Sequence, residues 1–147
     1  MKQFAHLLLI STLLFSYSVG NARNTIHRYS IEEALTVGEE RSRIDSSIRL
    51  FFGDQKHPAV KRKLGTYTAN KKTNAVNKSD REACNWAFLS AMVSLQSRAT
   101  REGGNAVVNI RSYYYKNKFS SATEFECGAG AVVAGVTMIG EVVELAE

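Results

Sequence analysis

The chain has 147 residues and a formal net charge of +5, with 44% hydrophobic, 10% aromatic and 22% charged residues. This length predicts one domain that is large enough to bury a core. The aromatic content and the moderate charge exclude an intrinsically disordered chain.

Residues 1–22 have the order of regions that is typical of a secretory signal peptide. Lys2 supplies the positive charge, residues 4–15 are almost wholly apolar, and small residues lead up to Ala22. A transmembrane helix would need about 20 apolar residues, more than this run contains. We therefore expect cleavage between Ala22 and Arg23, and a periplasmic or secreted mature protein without a transmembrane segment.

The mature chain, residues 23–147, would be a single domain that keeps 18 of the 19 Lys and Arg residues against 14 Asp and Glu residues. In an oxidising compartment, two cysteines most simply pair with each other. A structural disulfide between Cys84 and Cys127 is therefore expected. A zinc or thiol site is the alternative, but CxxC spacing and nearby histidines are absent.

The first half of the mature chain predicts a helix followed by two strands. Ser30 and Glu33 have the spacing of a capping box, which begins a helix near residues 31–40. Residues 48–52 are short, alternating and aromatic, as in a strand, and residues 63–73 form a second candidate strand.

The strongest predicted element is a helix at about residues 80–102. Ser79 and Glu82 form a second capping box, and Gly103 with Gly104 ends the helix. Apolar residues recur at helical spacing along it. They are Cys84, Phe88, Ala91, Leu95 and Ala99.

Three strands are predicted after this helix. Residues 105–115 and 120–127 are expected to pair as an antiparallel hairpin, and residues 131–145 form a last strand with a kink or bulge at Gly135 or Gly140. The predicted fold class is therefore α+β, with a mostly antiparallel sheet and one long helix packed on it.

Residues 128–135 are rich in glycine, but they do not match a nucleotide-binding loop. A P-loop requires Gly-Lys-Ser/Thr, which is absent, and Val133 stands where a dinucleotide fingerprint needs its third glycine. We expect small residues in a tightly packed strand, and we expect no nucleotide and no cofactor.

The segment from Lys56 to Lys78 contains seven basic residues and no acidic residue. Such a segment favours an anionic partner, for example lipid headgroups, lipopolysaccharide, a cell-wall polymer or extracellular nucleic acid. A solvated loop is the alternative, and Tyr67 alone does not make a stacking platform for single strands. We call five of these residues the basic patch: Lys61, Arg62, Lys63, Lys71 and Lys72.

Tyr113, Tyr114 and Tyr115 form an aromatic cluster with Phe119. If the strand continued through them, Tyr114 would face one side of the sheet and its two neighbours the other. The cluster is expected either to pack on the sheet or to contribute to a partner surface.

Asp54 and His57 lie in one predicted turn, where an Asp–His pair could orient an imidazole for acid–base catalysis. The alternative is that Asp54 caps backbone N–H groups of the turn. No Ser or Cys nucleophile is tied to the pair by sequence, and no metal-ligand spacing is present, so we do not expect an enzyme.

Four segments resemble a family of small exported proteobacterial proteins that is often labelled "excinuclease ATPase subunit". They read FGDQ followed by HP at residues 52–58, TANKKTN at 68–74, EACNWAF at 82–88 and GGNAVVNIRS at 103–112. The resemblance extends from about Ile48 to the C-terminus. Because a P-loop and zinc-binding CxxC pairs are absent, no ATPase activity is expected.

A long helix followed by Gly-Gly-Asn-Ala-Val-Val is also similar to the helix-to-strand junction of the YbjQ-type fold, which the Rcs envelope-stress sensor lipoprotein shares. This similarity implies a non-enzymatic α+β domain, although no cysteine for a lipid anchor follows the signal region. The prediction is an exported binding or accessory module of the cell envelope that contacts a protein or an anionic polymer. A small hydrolase using Asp54 and His57, or a metal-handling protein, is the alternative.

Overall fold

The computed structural model describes residues 22–41 and 43–147, so the predicted signal peptide, except for Ala22, lies outside the described residues. Within these ranges, two α-helices and a six-stranded sheet confirm the predicted α+β class. The elements in chain order are β1 (Thr25–Ser30), α1 (Ile31–Glu40), β2 (Arg49–Phe52), β3 (Val60–Asn74), α2 (Asp80–Glu102), β4 (Ala106–Ser112), β5 (Glu124–Ala129) and β6 (Val133–Leu145).

Both helices agree with the predicted bounds because their ends are defined by local hydrogen bonds. The Ser30 hydroxyl accepts the Glu33 N–H, and the Ser79 hydroxyl accepts the Glu82 N–H, each at 3.1 Å. Gly103 ends α2 in the left-handed conformation, with φ of 77°, which favours glycine. Neither described helix is long and apolar enough to cross a membrane.

The long strand β6 organises a curled mixed sheet. One edge of β6 pairs with β3 from Val133 to Leu145, and the other edge is shared between β5 and β4. β1 extends the sheet beyond β5, and β2 extends it beyond β4. The β2–β4 pair is parallel, whereas the other pairs are antiparallel.

Two sequence expectations about strand pairing are wrong. β1 was not predicted, although it pairs with β5 along its whole length. The expected hairpin between residues 105–115 and 120–127 is reduced to one bridge between Ser112 and Phe119, since β5 pairs with β1 and β6 instead. β5 pairs along its whole length with β1, which is distant in sequence, and β4 pairs with β2 and β6.

The extra residues at the irregularities of the sheet belong to β3 and β4, and the irregularity between β4 and β6 lies opposite Gly140, one of the two glycines at which a kink or bulge is expected. The β4–β6 register shifts between Val108 and Arg111, and the extra residue Asn109 has a φ of 50°. Gly140 is in regular register with β3, and on its other side it allows a close approach of β4, because a Cβ there would lie 2.6 Å from Val107 Cγ1.

The main core lies between α2 and one face of the sheet. Phe88 of α2 stacks on Phe125 of β5 with 4.3 Å between ring centroids, and Phe52 of β2 lies 6.0 Å from Phe88. The predicted disulfide is confirmed: Cys84 of α2 is bonded to Cys127 of β5, with 5.9 Å between the Cα atoms. Helix α2 is therefore joined to β5 twice, by the disulfide and by the aromatic stack.

A smaller apolar cluster covers part of the opposite face of the sheet. Its members come from the N-terminal part of β4 and the C-terminal part of β6, and they are packed against Phe51 and Val60. They are Ala106, Val108, Val143 and Leu145. This cluster covers the C-terminal part of β6. On the same face of the sheet, the N-terminal part of β6 borders an open cleft.

Candidate functional site: the tyrosine cleft

A cleft of about 500 Å³ opens on the face of the sheet that is opposite α2. Thr68, Asn70 and Lys72 of β3 line it, whereas the intervening Ala69 is buried in the core with α2. Since side chains alternate between the two faces of a strand, the lining residues all point away from the helix. We call this cavity the tyrosine cleft, after the three tyrosines at its wall.

Glycines form the floor of the tyrosine cleft. Gly128 of β5 is paired directly with Gly135 of β6, and both border the cleft. A Cβ on Gly128 would collide with the Tyr114 side chain, and one on Gly130 would lie 2.7 Å from the Arg23 carbonyl oxygen. The glycines therefore allow the aromatic loop and the N-terminal segment to approach the sheet closely.

Tyr113, Tyr114 and Tyr115 all line this one cleft, so the expected alternation between two faces is wrong. The strand ends at Ser112, and Tyr115 takes a left-handed conformation with a φ of 48° inside a short 3₁₀ turn. The Tyr113 N–H donates to the Thr137 carbonyl at 2.8 Å and holds the turn against β6. A turn, unlike a strand, can direct successive side chains to the same side.

Asn24 links two of the tyrosines to the segment before β1. The Tyr114 hydroxyl donates to Asn24 Oδ1, and Asn24 Nδ2 donates to the Tyr115 hydroxyl oxygen, each at 3.3 Å. Burial, followed by the neighbouring Tyr115, raises the pKa of Tyr114. The Tyr114 phenol therefore stays protonated at neutral pH and remains a hydrogen-bond donor.

The charged side chains that line the tyrosine cleft are cationic: Arg23, Lys72 and Lys116, with no carboxylate among the described lining residues. Arg23 is neutralised in part, because its guanidinium donates twice to Asp80, at 2.7 and 2.8 Å. Lys72 and Lys116 form no ion pair within the described part of the chain. Both ammonium groups are available to a ligand.

Asp80 joins the N-terminal segment to the first turn of α2. Besides the two bonds from Arg23, its carboxylate lies 2.9 Å from His27 Nε2. The hydrogen bonds from Arg23 are the main reason that the pKa of Asp80 is lowered to about 2. A carboxylate at a helix N-terminus is also stabilised by the helix dipole.

We expect the contribution of Asp80 to stability to depend on pH. Because its pKa is about 2 in the folded chain and about 3.9 when unfolded, the contribution is complete above about pH 5 and is lost as the pH falls toward 2. Asp80→Asn should lower the free energy of unfolding at pH 7 by about 1 kcal/mol. Its effect should shrink toward zero in urea unfolding at about pH 2. An equal effect at both pH values would contradict the assignment.

The residues of the basic patch lie on both faces of β3 and so do not form one surface. Lys61 Nζ and Arg62 Nε lie 3.7 and 3.1 Å from the carboxylate of Glu144. Lys71 and Lys72 are consecutive in a regular strand, so they point to opposite faces, and Lys72 borders the tyrosine cleft. Lys63 is exposed and pairs across from Val143.

Asp54 and His57 are both exposed in the loop after β2. His57 Nδ1 lies 2.8 Å from the Pro58 carbonyl oxygen, and its ring contacts Phe51 edge-on at 5.5 Å. No hydrogen bond joins Asp54 to His57 among the described contacts. Across residues 22–41 and 43–147, no three His, Cys, Asp or Glu residues are grouped as a metal site would require.

No family model, no curated protein and no solved structure matches this chain. The site must therefore be interpreted from its own geometry. The tyrosines, the glycines and Lys72 are recognisable as candidates from the sequence, but Arg23, Asn24 and Thr137 are not. The Tyr114–Asn24 bond joins residues 90 positions apart, and no local pattern reports such a contact.

Proposed function

We propose that this protein is an exported binding module of the cell envelope, and that the tyrosine cleft binds an anionic ligand that carries a flat ring. One observation carries this proposal: among the described residues, tyrosines and lysines without an ion pair converge on one cleft whose lining includes no carboxylate. Its volume lies within the range of about 300–1,000 Å³ that is usual for small-ligand sites.

Each part of the cleft suits one part of such a ligand. The tyrosine rings offer apolar faces at the wall of the cleft, and Gly135 adds no side chain to its floor. Lys72 and Lys116 would form charge-assisted hydrogen bonds with a carboxylate, sulfate or phosphate group. Thr68, Asn70 and Thr137 would bind neutral polar groups.

Three further observations support export to the envelope. The N-terminal sequence has the pattern of a signal peptide, and the Cys84–Cys127 disulfide is typical of an oxidising compartment. The resemblance to small exported proteobacterial proteins points to the same compartment. No observation favours the hydrolase or the metal-handling alternative, because Asp54 and His57 are exposed without a hydrogen bond between them among the described contacts, and both cysteines are bonded.

The charge selectivity of the cleft can be tested with two fluorescent probes that share the same rings. We expect 1-anilinonaphthalene-8-sulfonate to bind and the uncharged N-phenyl-1-naphthylamine to bind much more weakly. Lys72→Ala with Lys116→Ala should weaken binding of the sulfonate about tenfold, because two charge-assisted contacts are lost. Lys118→Ala is the matched control, since Lys118 is exposed in the same loop but does not line the cleft.

Equal binding of the two probes by the unmodified protein would contradict the proposal, and so would a double variant that binds the sulfonate normally. The natural ligand can then be sought by native mass spectrometry of protein from a periplasmic extract without reductant. The expected mass is that of Arg23–Glu147 less two hydrogens, with a bound anionic species. A full-length mass would contradict export.

A further inference from the structure

Strand β3 has one free edge. It pairs with β6 along its other edge, and no described strand pairs with the outer one. Register shifts interrupt the first part of β3, but from Gly65 to Asn74 the pairing with β6 is continuous over ten residues. In an antiparallel strand, alternate residues direct their N–H and C=O groups outward, so this edge presents an unpaired hydrogen-bonding ladder.

The basic patch follows this edge on both faces of the strand. Lys63 and Lys72 lie on the face of the tyrosine cleft, whereas Arg62 and Lys71 lie on the face of α2. A flat anionic surface could contact only one of these faces. An added strand would place its own alternating side chains beside both.

A second copy of this chain does not fit the edge. If two β3 strands paired antiparallel about their centres, Lys61–Lys63 of one copy would face Lys71 and Lys72 of the other. Like charges directly opposite each other destabilise a strand pair, and lysines on an edge are a common protection against self-association.

We infer that an extended acidic segment of a partner protein adds as a strand to the β3 edge between Gly65 and Asn74. Backbone hydrogen bonds would provide the affinity, and Glu or Asp side chains of the added strand would pair with Lys71 and Lys72, which lie in this segment on opposite faces. This edge lies beside the tyrosine cleft, because Thr68, Asn70 and Lys72 of the same segment line that cleft. The variants below therefore leave Lys72 unchanged, and the inference can fail without affecting the ligand proposal.

The probe is a ten-residue acetylated and amidated peptide, VEEVTVEEVT, which carries acidic residues on both faces of a strand. The comparison peptide VKKVTVKKVT has the same length and β-propensity, and dextran sulfate supplies negative charge without a peptide backbone. Amide hydrogen exchange of the disulfide-bonded protein, read by mass spectrometry, reports where each probe binds. We expect the acidic peptide alone to protect amides within residues 65–74.

The charge contacts are tested with Lys63→Glu and Lys71→Glu in one protein. These changes should weaken acidic-peptide binding about tenfold, since the cross-strand contact at Lys71 and the attraction from Lys63, just beyond the end of the added strand, both become repulsive. Lys56→Glu with Lys118→Glu, both in loops outside β3, changes the net charge equally and should have less than about a twofold effect.

Four outcomes would overturn the inference. The first two are binding of the acidic peptide without protection of the β3 amides, and protection of those amides by dextran sulfate as strong as that by the peptide. The other two are no detectable binding at millimolar peptide, and an equal loss of peptide affinity in both charge-reversal proteins. Protection of residues 65–74 that rises with protein concentration in the absence of peptide would instead identify a second copy as the occupant, and would overturn it as well.

Discussion

Replacing both cysteines by alanine is expected to lower the free energy of unfolding by about 4 kcal/mol. The bond joins residues 43 positions apart, and opening a loop of that size restores about this much chain entropy to the unfolded state. Both cysteines are fully buried between α2 and β5, so alanine leaves no unpaired polar group in the core. The loss is a large share of the 5–15 kcal/mol that is typical of folded domains.

Urea unfolding of three samples measures this effect: the oxidised protein, the reduced protein, and Cys84→Ala with Cys127→Ala. The reduced protein and the double variant should lose similar amounts, and reductant should not change the variant. A loss below about 1 kcal/mol in both would contradict a stabilising role for the bond. Since Gly128 directly follows Cys127, binding of 1-anilinonaphthalene-8-sulfonate by the same three samples would show whether the bond supports the floor of the tyrosine cleft.

Phe88→Ala is expected to cost about 3–5 kcal/mol, the usual range for removing a buried aromatic ring. Phe88 is fully buried, stacks on Phe125 at 4.3 Å between ring centroids and contacts Phe52 at 6.0 Å. The neighbouring strands β2 and β5 belong to separate arms of the sheet. The cavity could therefore close only if α2 moved against both arms, which the disulfide one turn away restrains.

Thermal and urea unfolding at neutral pH would measure the effect of Phe88→Ala. Tyr115→Ala is the matched aromatic control, because Tyr115 is 72% exposed, and its truncation should change stability by less than about 0.5 kcal/mol. Similar losses in the two variants would contradict the placement of Phe88 at the centre of the core. Phe88→Leu, which keeps most of the volume, should cost less than Phe88→Ala.

The amino-acid sequence alone determined the elements that depend on near neighbours. The bounds of α1 and α2 follow from Ser30, Ser79 and Gly103, each of which acts within a few residues of its own position. The α+β class follows from the spacing of the apolar residues, which is helical in α2 and alternating in the strands. The disulfide follows from the count of two cysteines and the export pattern, without any knowledge of the fold.

The tertiary structure alone decided how the strands pair and what the cleft contains. β1 was not recognised, and β5 pairs with β1 and β6 rather than in a hairpin with β4, because strand pairing is chosen by the whole buried surface and not by proximity in sequence. The left-handed Tyr115 turns three consecutive tyrosines to one side of the sheet.

The composition of the tyrosine cleft also depends on contacts between segments that are distant in sequence. Arg23 and Asn24 reach Tyr114 and Gly130 only because β1 lies beside β5, and that contact depends on chain segments about 90 residues apart. A local pattern can report which side chains are present and how they alternate. The free energy that brings distant segments together comes from the assembled core, so the cleft and the free edge of β3 were visible only in the folded chain.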